Sequence, residues 1–296
     1  MRIRFLKKFV CFCMGLLVLF GSCAEKPIQK TKTPGLYTVF YKIGKADAAL
    51  VSEVSDDGLT VNMLIDAGEK DDAEELIDKL HAEGVEALDI LVVTHFDKDH
   101  IGGVPALLSA VPVKTIYMPD YTGSGAAYDA FMAALAVYEG DQIVLTKDSA
   151  IDFGKSNDFV ESNDFVESEV WISTPKASVY DKKQDNNSSL AVFVTYGNHT
   201  LLFAGDAERA RQKELLSEGL SHVSLLKVPH HGVWNKGLDD FFAACTPDYA
   251  VITCSDKNPA ESKTTESLAS IGTKIFETRN GDIHVRVDAE GITVLQ

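Results

Sequence analysis

The sequence is poor in positive charge. It has 28 lysine and arginine residues against 44 aspartate and glutamate residues, so its formal net charge is −16. Proteins that bind nucleic acid usually carry a basic patch, and a chain this acidic repels polyanions at long range. Bound divalent cations would offset part of this charge locally. The composition therefore weakens a nuclease function without excluding it.

Long apolar runs are scarce as well. The apolar run near the start, Phe9 to Phe20, has 12 residues, whereas a membrane-spanning helix needs about 20. Four basic residues and no acidic residue precede it, namely Arg2, Arg4, Lys7 and Lys8. A basic start followed by a short apolar core is typical of a signal peptide, so we expect the mature protein to be extracytoplasmic.

The stretch "LFGSCAEK" at the end of this segment permits two processing sites. "LFGSC" resembles a lipobox, which would make Cys23 the lipidated first residue of a lipoprotein. Alternatively, Ser22 and Ala24 form a small-x-small site that is cleaved after Ala24, which would give a secreted protein. We favour a lipoprotein-type signal peptide at residues 1–23, a membrane anchor on Cys23, and a linker at residues 24–35.

Cysteine is rare in the rest of the chain. Cys11 and Cys13 lie in the predicted signal peptide, and Cys23 is lipidated or removed. Only Cys245 and Cys254 remain for the folded part. A disulfide between them is permitted outside the cytoplasm, but their spacing does not establish one, and two buried free thiols agree with the sequence equally well.

Strand-like and helical patterns alternate through residues 36–296, which we assign to one domain. Strand-rich halves with helices between them predict two packed sheets with helices outside. The segment "SNDFVE" occurs twice in succession, at residues 156–161 and 162–167. Two copies are too few for a repeat architecture, and they predict a duplication in a surface hairpin.

Four ionisable residues follow the apolar strand "LDILVVT" within six positions: His95, Asp97, Asp99 and His100. Charged groups at the end of a buried strand are costly unless something pairs with them. Imidazole nitrogen and carboxylate oxygen are ligands that zinc and manganese accept. The cluster therefore predicts a site that can serve two metal ions, although a solvated polar loop is the simpler alternative.

Other apolar segments also end in acids or histidines. "LIDAG" ends in Asp66, "LLFAGDAE" carries Asp206, and "LLKVPHHG" carries His230 and His231. Because these residues recur at strand ends, we expect the loops to converge at one edge of the fold. A bridging carboxylate and a further imidazole would complete a two-metal site there.

These motifs resemble those of a known family. "THFDKDHIGG" is similar to the H-x-H-x-D-H signature of the metallo-β-lactamase superfamily, with Asp97 in place of the middle histidine. This variant with a later "HHG" resembles the hydrolase domain of ComEC-type DNA-uptake competence proteins. "FYKIGKADAALV" resembles the opening "F-x-D-V-G-x-G-D-A", and "NNSSLAVFVTYGNHTLLFAGDAE" resembles the strand pair that ends in a metal-bridging aspartate. The resemblance covers residues 36–296 and implies an α/β fold, a four-layer αββα sandwich.

The resemblance also implies roles for individual residues. His95 and Asp97 would bind one ion and Asp99 and His100 the other, with Asp206 as the bridge. One of His230 and His231 would complete the second site; we assign His230 to the metal. Asp99, Asp206 and His231 are the predicted catalytic residues, and the substrate-contacting or supporting residues are Asp47, Asp66, Asn186 and Ser189. Asn186 stands where the superfamily usually has a third histidine, a loss that competence-type members share.

The implied function is an exported hydrolase with two Zn²⁺ or Mn²⁺ ions and a metal-bound hydroxide as nucleophile. A phosphodiesterase or nuclease is the leading interpretation, with a phosphoester substrate such as single-stranded DNA. Val233 and Trp234 follow "HHG" where small polar residues are usual, and no histidine lies between Cys254 and His284. Both departures fall where substrate would bind. Hydrolysis of a lactone, β-lactam or cell-wall choline phosphoester, and a non-enzymatic surface-anchored binding domain, therefore stay open.

The remaining histidines of the predicted domain show no ligand pattern. We expect surface or structural roles for His81, His199, His222 and His284. Cys254 falls near the predicted site, and a small buried residue is the simpler role for it than a metal ligand.

Overall fold

The structure, a computed structural model, describes residues 33–153, 168–180 and 184–296. The predicted signal peptide, most of the predicted linker and both "SNDFVE" copies lie outside these residues. Within them, the strands are β1 (Gly35–Phe40), β2 (Ala49–Val54), β3 (Thr60–Ile65), β4 (Leu88–Val92), β5 (Val113–Pro119), β6 (Asp141–Leu145), β7 (Ser149–Ile151), β8 (Ser168–Ser173), β9 (Ala191–Tyr196), β10 (His199–Phe203), β11 (Leu225–Lys227), β12 (Tyr249–Ile252), β13 (Lys274–Glu277), β14 (Ile283–Asp288) and β15 (Gly291–Leu295).

The helices lie between and after these strands. They are α1 (Ala73–Ala82), α2 (Lys98–Ile101), α3 (Val104–Ala110), α4 (Gly125–Leu135), α5 (Gln184–Asn187), α6 (Arg209–Ser217), α7 (Leu238–Cys245) and α8 (Ser262–Ser270). Single 3₁₀ turns occupy Lys70–Asp72, Pro229–Gly232 and Thr278–Asn280.

The strands form two mixed sheets. The first has the order β15-β14-β1-β2-β3-β4-β5-β6, and the second has the order β13-β12-β11-β10-β9-β8-β7. β3, β4, β5 and β6 run parallel, as do β10, β11, β12 and β13, whereas the other pairs are antiparallel. Parallel strands present their carboxyl ends at one edge, which is where loops build a site.

The two sheets pack face to face. Successive side chains of a strand point to opposite faces, so alternate residues of one strand enter different cores. In β4, Ile90 and Val92 belong to the core between the sheets, whereas Leu91 packs on the outer side. Phe40 of the first sheet and Phe203 of the second stack with ring centroids 5.5 Å apart. Apolar residues of both sheets therefore form one shared central core.

Helices cover the outer face of each sheet. Leu76 of α1, Leu107 of α3 and Phe131 of α4 join the outer core of the first sheet. Phe241 of α7 and Leu268 of α8 join the corresponding core of the second. The predicted four-layer αββα sandwich is confirmed.

Both cysteines of the domain are free and buried. Burial raises the pKa of the Cys245 thiol to about 12, so this residue packs as a small apolar group. Of the two arrangements left open by the sequence, the structure contains the free thiols.

In the part of the chain that the structure describes, no helix is long and apolar enough to span a membrane.

Candidate metal centre

Strands of both sheets deliver polar side chains to one site. Asp66 follows β3 and His95 follows β4, which run parallel in the first sheet. Asp206 and His231 follow β10 and β11, and Thr253 follows β12, which are parallel neighbours in the second sheet. The side chains predicted to converge are brought together at this edge.

Asp66 orients two histidines of the first sheet. Its carboxylate accepts hydrogen bonds from the Thr94 amide at 2.8 Å, from the Thr94 hydroxyl at 2.7 Å and from His100 Nδ1 at 2.7 Å. Because the Thr94 hydroxyl donates its proton to Asp66, it accepts one from His95 Nδ1 at 3.1 Å. Both rings are therefore held with Nε2 directed away from Asp66, as supporting residues hold metal-binding histidines.

His231 is oriented by residues from both sheets. Its Nδ1 donates to the Thr253 carbonyl at 3.2 Å, and the Thr253 hydroxyl donates to Asp47. His230 and His231 have φ angles of 49° and 53°, a backbone conformation that costs non-glycine residues roughly 1–3 kcal/mol each. The His230 amide donates to the Gly205 carbonyl at 3.2 Å, which helps to hold this turn.

Three buried side chains and the partly buried Asp99 meet at the centre. His231 Nε2 lies 3.3 Å from Asp206 Oδ2 and 3.4 Å from Asp99 Oδ2, and His100 Nε2 lies 3.4 Å from Asp206 Oδ1. Two of the four candidate ligand groups among the described residues match a two-ion centre, and these two share His100: His95 with His100 and Asp206, and Asp99 with His100 and His231. Asp206 directs one oxygen towards each group and occupies the bridging position.

The donor atoms at this centre fit divalent cations. Within the described ranges, His95 Nε2, His100 Nε2, His231 Nε2 and Asp206 Oδ1 are buried and have no hydrogen-bond partner. Buried polar atoms are almost always paired, so unpaired atoms that converge need an explanation. Nitrogen and oxygen donors of this kind suit zinc and manganese.

The other predicted site residues lie around this centre. Asp97 Oδ2 is 3.7 Å from His95 Nε2, on the exposed side. Ser189 Oγ accepts a hydrogen bond from the Asp206 amide at 3.1 Å, and the Asn186 amide nitrogen lies 3.4 Å from His230 Nε2. The structure thus places every predicted site residue at the centre or next to it.

The two adjacent histidines occupy different positions from those assigned from the sequence. His230 Nε2 is 3.9 Å from Asp206, and its Nδ1 lies 3.2 Å from Glu208. His231 is buried and lies between two carboxylates, whereas His230 is absent from the candidate ligand groups of the described residues. The left-handed backbone turns the second ring inwards, so the geometry favours His231 over His230 as a candidate ligand and leaves His230 at the rim.

Charges at the centre compensate one another. Burial opposes ionisation of Asp206, but His231 and His100 outweigh it and hold the pKa of Asp206 well below its usual range. Burial likewise opposes the charged form of His100, but the carboxylates of Asp206, Asp66 and Asp47 raise the pKa of His100. Without metal, protonated imidazoles therefore stand between carboxylates, and a divalent ion would displace those protons.

The sequence pattern of the metallo-β-lactamase superfamily matches residues 54–255. The chain belongs to this superfamily. Members bind one or two divalent metal ions, in agreement with the ligand groups described above.

Among curated superfamily proteins, the chain is similar to competence proteins. It is 28% identical over 224 residues to ComE operon protein 3 of Bacillus subtilis, which covers 71% of this chain and 26% of that protein. It is 25% identical over 185 residues to Recombination protein 2 of Haemophilus influenzae, which covers 62% of this chain and 20% of that protein. The chain therefore spans about a quarter or less of these relatives, and the similarity to competence proteins expected from the motifs is confirmed.

Solved metallo-β-lactamase-fold structures share the architecture. YhfI from Bacillus subtilis matches with a TM-score of 0.53 at 12% identity, covering 88% of this chain and 99% of YhfI. The diiron β-hydroxylase CmlA from Streptomyces venezuelae matches with a TM-score of 0.52 at 12% identity, covering 87% of this chain and 55% of CmlA. At this identity the matches establish the fold alone.

The remaining histidines lie apart from the metal ligands of this superfamily fold. His81 is exposed on α1, and His284 is half-exposed on β14. His199 Nδ1 lies 2.9 Å from Ser224 Oγ, and His222 Nδ1 lies 2.9 Å from the Thr246 carbonyl. None of them belongs to a candidate ligand group in the described part of the chain.

Sequence analysis missed a fully buried arginine that supports the site. Arg211 of α6 donates from Nε to the Ser189 carbonyl at 3.0 Å and from Nη2 to the Ser173 carbonyl at 2.8 Å. Its amide donates to the Asn187 side chain at 3.0 Å. Arg211 therefore fixes the segment that carries Asn186 and Ser189 beside Asp206.

A buried lysine, Lys227, was missed too, although a lysine inside the apolar strand "LLKVP" is an available signal. Its Nζ donates to the Gly205 carbonyl at 3.1 Å, pairs with Asp47, and lies 3.7 Å from Asp206 Oδ1. Burial opposes its charge, but Asp47 and Asp206 outweigh burial and raise the pKa of Lys227. The ammonium thus neutralises carboxylates of the centre from within the core.

Replacing Lys227 with methionine should lower the free energy of unfolding of the metal-free protein by about 3–5 kcal/mol, because the buried Asp47 carboxylate loses the ammonium that pairs with it. Urea denaturation measures this change. Lys98→Met is the control, because Lys98 pairs with Glu69 at 2.9 Å but its side chain is 71% exposed, and such pairs contribute about 0–1 kcal/mol. Equal losses for the two variants would contradict the role given to Lys227.

Proposed function

We propose that this protein is an exported metal-dependent phosphodiesterase that uses two divalent ions. One observation carries the proposal: buried ligand atoms of His95, His100, His231 and Asp206 converge without hydrogen-bond partners among the described residues. Leaving such groups unpaired in a folded core is costly. Two bound cations would satisfy all of them.

The chain's own residues divide between two ions. His95, Asp97 and Asp206 would hold one ion, and Asp99, His100 and His231 the other, with Asp206 shared. Three imidazoles and three carboxylates suit Zn²⁺ and Mn²⁺ alike. Such ions supply Lewis acidity and lower the pKa of a coordinated water from 15.7 to about 7.

Hydrogen bonds from supporting residues orient these ligands. Asp66 accepts the Nδ1 proton of His100, and the Thr253 carbonyl accepts that of His231, so each ring presents an Nε2 lone pair to the centre. Hydrogen bonds of this kind fix the ring and raise its basicity. At the rim, the Asn186 amide and His230 Nε2 lie 3.4 Å apart, and we assign both to contacts with substrate oxygen atoms.

Similarity to competence proteins supports a phosphodiester substrate, with single-stranded DNA as the first candidate. The chain spans only a fraction of those proteins, so a shared activity is part of the proposal. Because the net charge is −16, the protein repels a polyanion at long range. Cations bound at the site would have to overcome this repulsion.

The purified protein should hydrolyse bis-p-nitrophenyl phosphate and single-stranded DNA with Mn²⁺ or Zn²⁺, lose this activity after dialysis against EDTA, and regain it when metal returns. Nitrocefin and p-nitrophenyl phosphorylcholine serve as alternative substrates. Turnover of either of these without diester hydrolysis would assign the centre to another hydrolase class. No turnover of any substrate by metal-loaded protein would favour a binding domain.

We propose further that residues 1–23 direct export and that Cys23 carries a lipid anchor. The basic start, the short apolar core and "GSC" support this. The mass of the mature N-terminal peptide distinguishes a lipidated Cys23 from a free Glu25. An intact Met1 would contradict export.

A further inference from the structure

A second lysine stands at the mouth of the centre. Lys45 Nζ lies 3.7 Å from Asp99 Oδ2, and its side chain is 33% exposed, whereas that of Asp99 is 15% exposed. Lys227, by contrast, has a side chain only 4% exposed and is enclosed by Asp47 and Asp206. Lys45 can therefore contact a molecule that enters from solvent, and Lys227 cannot.

The loop that carries Lys45 is fixed to the metal loop. The Asp47 amide donates to the Asp99 carbonyl at 3.0 Å, and the Gly68 amide donates to the Asp47 carbonyl at 2.9 Å. The Ala46 amide donates to the Ile43 carbonyl at 3.3 Å, which closes the turn around Lys45. Because the backbone is held on both sides, the ammonium stays within reach of Asp99 while its flexible stem lets it turn towards solvent.

Acidic side chains also lie at the mouth. Asp97 has a side chain 39% exposed, and Asp99 lies beside it. A monoanionic diester approaching these carboxylates meets repulsion until a cation pairs with its non-bridging oxygens. A lysine ammonium binds phosphate oxygens as a point charge with three donors.

We propose that Lys45 binds a non-bridging oxygen of the phosphodiester and selects anionic over neutral substrates. When Asp99 coordinates metal, part of its negative charge is taken by the ion, and the Lys45 ammonium is released to the substrate. This inference rests on the proposed function, because it assigns a role at the same site. In this role Lys45 contributes to substrate affinity and does not contribute to metal binding.

The test compares Lys45→Met with the parent and with Lys42→Met, an exposed lysine of the same loop. Charge-assisted hydrogen bonds are strong enough that Lys45→Met should raise KM for bis-p-nitrophenyl phosphate about 10-fold, with kcat within about two-fold of the parent. Lys42→Met should leave KM unchanged, and Lys45→Arg should recover most of the loss. Metal content per chain should be the same in all four proteins.

A second measurement does not depend on turnover. Dimethyl phosphate is a monoanionic diester with poor leaving groups, and its Kd for the zinc-loaded protein can be followed by ligand-observed NMR. Lys45→Met should weaken this binding about 10-fold, whereas the neutral trimethyl phosphate should bind parent and variant alike. If the parent binds dimethyl phosphate through Lys45 but hydrolyses no diester, the proposed function fails and the Lys45 site stands. Equal KM and Kd for parent and Lys45→Met, or loss of metal in the variant, would overturn the inference.

Discussion

Asp206→Asn is expected to lower kcat for bis-p-nitrophenyl phosphate by on the order of 10³-fold and to remove at least one bound ion per chain. Asp206 is the residue whose two oxygens face both ligand groups, at 3.4 Å from His100 Nε2 and 3.3 Å from His231 Nε2. An amide at this position supplies no negative charge to either ion. Elemental analysis after gel filtration and steady-state kinetics measure the two effects.

The fold should survive this substitution. Asparagine has nearly the shape of aspartate, and His100 and His231, which face Asp206, can each give up a proton when its charge is removed. Asp78→Asn, the same chemical change at an exposed position of α1, is the matched control and should leave both readouts unchanged. Parental kcat together with two bound ions in Asp206→Asn would contradict the bridging role given to Asp206.

His231→Ala and His230→Ala are expected to differ clearly in metal affinity. His231→Ala should weaken metal binding by more than about 100-fold, because loss of a ligand exceeds the 10–100-fold effects of supporting residues. His230→Ala should retain its metal and instead raise KM, since His230 Nε2 lies 3.9 Å from Asp206 and faces Asn186. Competition dialysis against a chelator gives the metal affinities.

His199→Ala serves as the control for this pair, because His199 hydrogen-bonds Ser224 on the second sheet and belongs to no candidate ligand group of the described chain. If His230→Ala loses metal and His231→Ala keeps it, the assignment from the sequence is restored and the geometric one fails.

The elements that sequence analysis placed well are those with a strong local signal. "LDILVVT" is a largely apolar run, and β4 occupies its first five residues, Leu88–Val92. The sequence pattern predicts a helix over residues 104–110, and α3 spans Val104–Ala110. The ligand loop was visible because four metal-binding side chains fall within six residues.

Other elements carry too weak a pattern to predict. α8 buries only Thr264 and Leu268, so its polar sequence shows no apolar periodicity. β6 is an edge strand whose residues are largely exposed. The sequence pattern predicts a helix from Ala126 to Glu139, whereas α4 ends at Leu135. Contacts with residues far away in the sequence determine where these elements form, and a local sequence pattern does not show such contacts.

The same limit applies to the centre. Lys227 pairs with Asp47, which lies in the loop between β1 and β2 of the other sheet, and this pairing exists only once the sheets are packed. Which of two adjacent histidines turns inwards depends on their left-handed φ angles, and spacing does not encode those. Residue types thus predicted the chemistry, whereas backbone conformation determined which side chain performs it.

The most direct test of the two-metal account is anomalous scattering from a crystal of this protein soaked with zinc. The account predicts two peaks about 3.5–4 Å apart, one beside His95 Nε2 and the other beside His100 and His231 Nε2, with Asp206 between them. Peaks only at surface histidines, or no peak within ligand distance of Asp206 at saturating zinc, would contradict it.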